Sequence, residues 1–304
     1  MILNTKYTKA GITTFRTLIM VVASKLPANI AQVKDYFDEF ATMKCASEPP
    51  VFIYLSKLEF YKYVAYILDF FDKPSAKAVL DVGCGAGQLM NQLLSLNSDI
   101  EIVGIDISIN QLLRVPMNVS QEKWERVNLI LCDIKNLPFR KEVFDGATLI
   151  DVIHHLTNFE QLVDLPRVVK PEGRFFVDEL VINNPFIFFG RKLYGLVPSV
   201  VREKIPNIGP VNSTPEILLF SSRRLSEIME WLGFEIIEKK RRSLFLLVLA
   251  YFKLIPGFKK IFSSLTFLLA MAEVEQKIIR YTPLKFFCNE ITLKCFRQRR
   301  SSIM

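Results

Sequence analysis

A chain of 304 residues, half of them hydrophobic and 23% charged, fits one large globular domain or a domain with an appendage, richer in apolar surface than usual. Its formal charge of +8 is unevenly placed: residues 1–34 hold five Lys or Arg and no acid, and residues 239–304 hold fourteen basic side chains against three acids, which leaves residues 35–238 acidic by eight charges. Uniform basicity would point to nucleic acid; a basic end interleaved with apolar runs points instead to an anionic membrane surface.

The N-terminus sets Lys6, Lys9 and Arg16 before an apolar "LIMVVA" (18–23). The run is short and no small-residue cleavage site follows, so a short amphipathic helix is expected there and not a secretory signal. Residues 31–72, beginning "AQVKDYFDEFA", read as helical. From residue 78 the pattern alternates between short β-branched runs and helical stretches, the signature of a parallel sheet covered on both faces. Strands are predicted at 78–82, 101–106, 127–133, 145–151, 173–179 and 233–239, with a seventh, antiparallel edge strand at 290–296. Helices are predicted at 87–96, 108–119, 158–169 and 222–232. Two stretches fall outside this pattern: 180–221, rich in aromatics, and 243–285, which carries "LFLLVLAYFKLIP" and "IFSSLTFLLAMA" around a Pro-Gly turn and Lys259-Lys260. No segment reaches the roughly 20 apolar residues of a spanning helix. Five cysteines (Cys45, Cys84, Cys132, Cys288, Cys295) form no C-x-x-C pair and read as reduced thiols of a cytoplasmic protein.

The most informative stretch is "KAVLDVGCGAGQLM" (77–90). A dinucleotide turn requires G-x-G-x-x-G or G-x-G-x-x-A, and the position three after Gly85 is Gln88, so that fingerprint fails. The pattern present is D-x-G-x-G-x-G. It suits a ligand that needs close backbone approach but brings no pyrophosphate, as S-adenosylmethionine does, with an acid at the strand end for its ammonium. Asp106 closes the second predicted strand, where a carboxylate can accept from both ribose hydroxyls. Asp133 closes the third, within reach of an adenine amino group. Asp151 and the only two histidines, His154 and His155, follow the fourth.

At "VKDYFDEFA", "VLDVGCGAG", "VGIDIS", "CDIKNLPF", "FDGATLIDVIHHL" and "VVKPEGRFFVDE", in this order and spacing, residues 31–240 resemble the class I S-adenosylmethionine-dependent methyltransferases, most closely the small-molecule and quinone-biosynthesis type. The resemblance implies an α/β Rossmann-like sheet of seven strands in the order 3-2-1-4-5-7-6, the seventh antiparallel. It implies S-adenosyl-L-methionine as cofactor, with contacts from Asp81, Gly83, Gly85, Gly87, Asp106, Ile107, Asp133 and Ile134, and with Asp151 beside the methionine part. The domains expected are an N-terminal helical region (1–72), a methyltransferase core (73–242) with a cap insertion (180–221), a hydrophobic hairpin (243–285), and an edge strand with a basic tail (286–304).

Plainer roles compete with these. Glycines behind a strand also make ordinary turns, and Asp106 and Asp133 also fit helix N-caps; their shared register favours ligation. Adjacent histidines cannot both face one pocket on a regular element, so at most one of His154 and His155 is a base, and Glu179 at the end of the fifth strand is the next candidate. "NNPF" (183–186) resembles the motif of amino-nitrogen methyltransferases but follows the fifth strand where theirs follows the fourth, which further disfavours nucleic acid. The runs in 243–285 would be only about 20 Å long as helices, short of a bilayer core of about 30 Å. With "KKRR" (239–242) beside them they read as a hairpin dipping into one leaflet, or else as a dimerisation hairpin or lid. The function expected is methyl transfer to a small, lipophilic or membrane-associated acceptor, by an enzyme peripheral to the cytoplasmic membrane face. An already activated donor requires no metal. The alternatives are a soluble acceptor with an oligomerising hairpin, or a noncatalytic S-adenosylmethionine-binding membrane scaffold.

Overall fold

The computed structural model describes residues 2–5, 17–21, 67, 69–71, 76–96, 99–181, 220–242, 274–275, 277–283, 288 and 290–298. Strands among them are β1 (Ile2–Thr5), β2 (Thr17–Val21), β3 (Ala78–Val82), β4 (Glu101–Asp106), β5 (Val127–Leu131), β6 (Phe144–Ile150), β7 (Val169–Leu180), β8 (Phe234–Arg242) and β9 (Glu290–Arg297). The α-helices are α1 (Gln88–Leu96), α2 (Ile109–Leu112), α3 (Val115–Asn118), α4 (Leu165–Val168) and α5 (Ser222–Trp231). All strands lie in one sheet, ordered β1-β2-β5-β4-β3-β6-β7-β9-β8. Numbered from β3, its last seven members have the order 3-2-1-4-5-7-6, and β9 runs antiparallel to both β7 and β8. This is the Rossmann-like methyltransferase sheet that the sequence resemblance implied.

The strands are near-continuous apolar runs because both faces of the sheet are covered. Consecutive Phe175 and Phe176 on β7 show this directly. Phe175 stacks on Phe234 with ring centroids 4.5 Å apart, in a core shared with Leu80, Phe144 and Leu225. Phe176 turns to the opposite core, with Phe71, Met90 and Leu93, and meets Phe70 at 6.4 Å. Asp145 ties the start of β3 to β6 by accepting from Lys77 N and Ala78 N at 3.0 and 2.9 Å. Strands β3 to β8 all point their carboxyl ends to one edge, the edge at which open α/β sheets bind ligands.

The structure departs from the sequence expectations in several places. The helix expected over 18–23 is the strand β2, parallel to β5 with Ile19 opposite Leu129, and β1 pairs antiparallel outside it. Without β2, β5 would present an unpaired row of backbone groups, and the β-branched Thr17, Ile19 and Val21 suit that edge better than a helix. The helix expected over 108–119 is two short pieces, α2 and α3, with Pro116 in the first turn of the second. That over 158–169 is a 3-10 turn at Phe159–Leu162 followed by α4, again opened by a proline, Pro166. Proline removes the backbone donor that a continuous helix would use. Of the N-terminal helical region, residues 69–71 are helical, and Ile67, Phe70 and Phe71 are buried on the sheet. The cap over 182–219 and the hairpin runs over 243–273 lie outside the described residues; the hairpin's final stretch, 277–281, is helical. Cys84, Cys132, Cys288 and Cys295 are buried, unbridged thiols. Among the described residues, no helix is long and apolar enough to cross a membrane.

Candidate cofactor and acceptor cleft

The chain leaves β3 through Gly83, Gly85 and Gly87, all with positive φ (66°, 52° and 77°). This left-handed backbone is open to glycine at little cost. A Cβ on Gly83 would also lie 2.4 Å from a methyl of Val152, so the turn and the segment after β6 touch closely. A Cβ on Gly85 would meet nothing within 4 Å, because Gly85 faces the cleft. Asp106 locks this turn: its Oδ2 accepts from Gly85 N at 2.8 Å and its Oδ1 from Ser108 N at 2.8 Å. Asp133 stands two residues past the end of the neighbouring strand β5, its Oδ1 accepting from Lys135 N at 3.0 Å.

Together these residues shape a cleft at the carboxyl edge. Gly83, Gly85, Asp106, Ile107, Asp133, Ile134, Asp151 and His155 all lie on its wall. Gly87 does not; it shapes the turn against Val115. Asp81 sits just behind the wall, 3% exposed, with Oδ1 accepting from Thr148 Oγ1 at 2.7 Å and Oδ2 without a hydrogen-bond partner. Burial, partly offset by Thr148 and reinforced by Asp106, raises its carboxyl to about 7. Gln111, Thr157 and Gln161 also line the cleft, and no motif marked them. Gln161 is fixed by Thr157, whose N and Oγ1 donate to its Oε1 at 2.9 and 3.0 Å.

Beyond β6 the chain turns sharply. Asp151 adopts φ 53°, its N–H donating to Asp178 O at 2.9 Å, and a 3-10 turn at Ile153–His155 follows. The two histidines then separate in role, with ring centroids 3.9 Å apart. His155 lines the cleft. His154 is buried and its Nδ1 meets Glu179 Oε2 at 2.8 Å. Glu179 is itself 1% exposed, and its Oε1 accepts from Val152 N and Ile153 N. Glu179 and His154 therefore hold the turn from behind, with their polar atoms within 4.8 Å of the Asp151 carboxylate. Burial and the neighbouring His154 lower His155 to about 3, so its imidazole is neutral at ordinary pH. Asp151 is exposed at the cleft. Desolvation by the surrounding protein, with Glu179 and Asp178 nearby, raises its carboxyl above the usual range, and His154 partly counters this.

A family profile described as "Methyltransferase domain" matches residues 73–205, the stretch that carries the glycine turn, Asp106, Asp133, Asp151 and both histidines. Residues 73–205 are thus similar to a methyltransferase domain. The donor that serves methyltransferase domains of this kind is S-adenosylmethionine, and the residues present suit it: Gly85 leaves open space, Asp81 Oδ2 is a buried acceptor without a partner, and Asp106 and Asp133 present carboxylates at the cleft wall. An uncharacterized protein of Methanocaldococcus jannaschii is 26% identical over 152 residues, half of this chain and 61% of its own length. An Arabidopsis thaliana tRNA (carboxymethyluridine(34)-5-O)-methyltransferase is 36% identical over 104 residues, 33% of this chain and 23% of its own. The chain thus spans less than two thirds of the length of these curated relatives. By shape, the chain is similar to a geranyl diphosphate C-methyltransferase from Streptomyces coelicolor (TM-score 0.58, 13% identity, covering 90% of this chain and 100% of that one). At that identity the likeness is one of fold.

Proposed function

We infer that the chain transfers a methyl group from S-adenosylmethionine to a small, lipophilic or membrane-associated acceptor. The observation that carries the transfer is the joining, at one sheet edge, of an open glycine turn with Asp106 and Asp133 at the ends of neighbouring strands. Bound there, the donor supplies an electrophilic sulfonium methyl. The chain's own residues hold its polar ends and align an acceptor in line with that methyl, and alignment of this kind contributes up to about 7–11 kcal/mol in model systems. Apolar Val82, Ile105, Val152 and Leu156 exclude water around the reacting atoms.

Where the acceptor carries a proton, Asp151 is better suited than His155 to remove it. A carboxylate raised toward neutrality matches the working pH of a general base, whereas an imidazole lowered to about 3 holds a proton too weakly. The lipophilic nature of the acceptor is supported by the basic C-terminal stretch and the two short apolar runs in 243–273, which suit one leaflet of the cytoplasmic membrane face. Incubating the purified protein with methyl-labelled donor and a cell extract, then partitioning into organic and aqueous phases, tests this. Label is expected in the organic phase. Label confined to water-soluble products would contradict a lipophilic acceptor while upholding methyl transfer.

A further inference from the structure

Gln161 lines the cleft and is only 4% exposed. Its side-chain oxygen is engaged three times over: Oε1 accepts from Thr157 N at 2.9 Å, from Thr157 Oγ1 at 3.0 Å and from Asn158 N at 3.4 Å. Backbone N–H groups can only donate, so these contacts fix which end of the amide is the oxygen. The NH2 end is turned away from Thr157 and Asn158, and among the described residues nothing accepts from Nε2. An amide donor enclosed by protein is costly to leave unpaired, and the cleft is where an acceptor can reach it.

The path of the chain decides which part of a ligand this donor meets. Leu149, Val82, Ile105 and Ile130 stand in one row across β6, β3, β4 and β5. Three strand spacings, about 14 Å, therefore separate the Asp151 end of the cleft from the Asp133 end. The segment after β6 crosses that width. Three residues past Gln161, Asp164 Oδ2 accepts from Leu137 N at 3.1 Å, and Arg167 donates to Leu137 O and Phe139 O at 2.9 and 2.6 Å. Gln161 thus stands toward the loop that carries Asp133. The Asp133 Oδ1 accepts from Lys135 N, and among the described residues nothing donates to its Oδ2. One end of the cleft offers a carboxylate acceptor together with an amide donor. Adenine carries the matching pair on either edge: its amino group donates, and the ring nitrogen beside it, N1 or N7, accepts.

We propose that Gln161 reads the purine of the bound methyl donor, its Nε2 donating to N1 or N7 of an adenine whose amino group donates to Asp133. The proposal rests on the cleft being a methyl-donor site. Hypoxanthine would set its ring oxygen against the Asp133 carboxylate, so the pair selects adenine over its deaminated form.

Calorimetry on the full chain tests it, with S-adenosylhomocysteine and its 1-deaza and 7-deaza analogues, in each of which a C–H replaces one ring nitrogen. Gln161→Glu keeps an oxygen for Thr157 and Asn158 and removes the donor. It is expected to weaken S-adenosylhomocysteine by about three- to ten-fold, and to bind one of the two deaza analogues as well as wild type does. Damage to the turn alone would lower all three ligands equally. An equal loss on all three therefore overturns the proposal, as does wild-type affinity of the variant for S-adenosylhomocysteine. Should Gln161→Glu misfold, Gln161→Met, neutral and of similar length, is read against the same three ligands. Failure of wild type to bind any of the three would sink the methyl-donor reading and the proposal with it, whereas the variant outcomes overturn the proposal alone.

Discussion

Asp106 does two jobs with one carboxylate: it fastens the glycine turn through Gly85 N and stands at the cleft wall. Asp106→Ala should therefore weaken S-adenosylhomocysteine binding by about 1.5–3 kcal/mol, the range for hydrogen bonds to a charged group; calorimetry giving wild-type affinity would contradict the assignment. Asp81 yields a pH test. With its carboxyl raised from the ordinary 3.8 to about 7, the folded protein holds a proton that the unfolded chain has released. Stability contributed by this group is thus present at low pH and is lost as pH rises from about 4 through about 7. A cationic ammonium arriving beside Asp81 Oδ2 favours the ionised form, so cofactor binding should release close to one proton near pH 6 and about half a proton near pH 7. Titrations in buffers of different ionisation enthalpy measure this, and Asp81→Asn should abolish it. At the turn after β6, Asp151→Asn should reduce turnover by about 10²-fold or more for a proton-bearing acceptor, with His155→Ala milder. A His155→Ala loss that exceeds the Asp151→Asn loss would return the base role to the histidine.

The elements place these residues, and the glycine turn shows how. Gly83→Ala meets both a positive φ and a methyl of Val152 at 2.4 Å, whereas Gly85→Ala meets only the backbone penalty, its Cβ pointing into open cleft. Urea unfolding should show Gly83→Ala to be the more destabilising, beyond the roughly 1–2 kcal/mol of a left-handed alanine. Gly85→Ala should keep more stability and lose more cofactor affinity. Equal effects on both measures would mean that the turn does not distinguish packing from ligand approach. Most of this was legible in the sequence because β-branched runs ending in Asp106, Asp133 and Asp151 mark strand ends by themselves. The roles of His154 and Glu179 were not. Their pairing depends on a turn whose Asp151 takes a left-handed conformation, and linear spacing carries no sign of that. The N-terminal strand β2 was missed for a related reason: "LIMVVA" satisfies a helix or a strand equally, and only the open edge of β5 decides. Gln111 and Gln161, as neutral side chains in short helices, left no mark to read.

At the scale of the whole chain, charge is segregated: the −8 stretch contains the cleft, and the +11 of residues 239–304 surrounds the two apolar runs of the sequence. A polybasic surface contributes about 1 kcal/mol per Lys or Arg near an anionic leaflet and is screened by salt, while apolar insertion is not. On the proposed membrane reading, vesicle binding should therefore weaken without vanishing as salt rises. Replacing residues 243–273 by a short polar linker should remove it and leave cofactor affinity intact. A variant that instead turns from dimer to monomer, with vesicle binding absent throughout, would make the hairpin an oligomerisation device. All of this depends on what the cleft holds, and calorimetric titration of the full chain with S-adenosylhomocysteine and, separately, with NAD decides that most directly. One equivalent of S-adenosylhomocysteine binding and no heat from NAD is the result expected. Saturable NAD binding with no response to S-adenosylhomocysteine would contradict the account at its root.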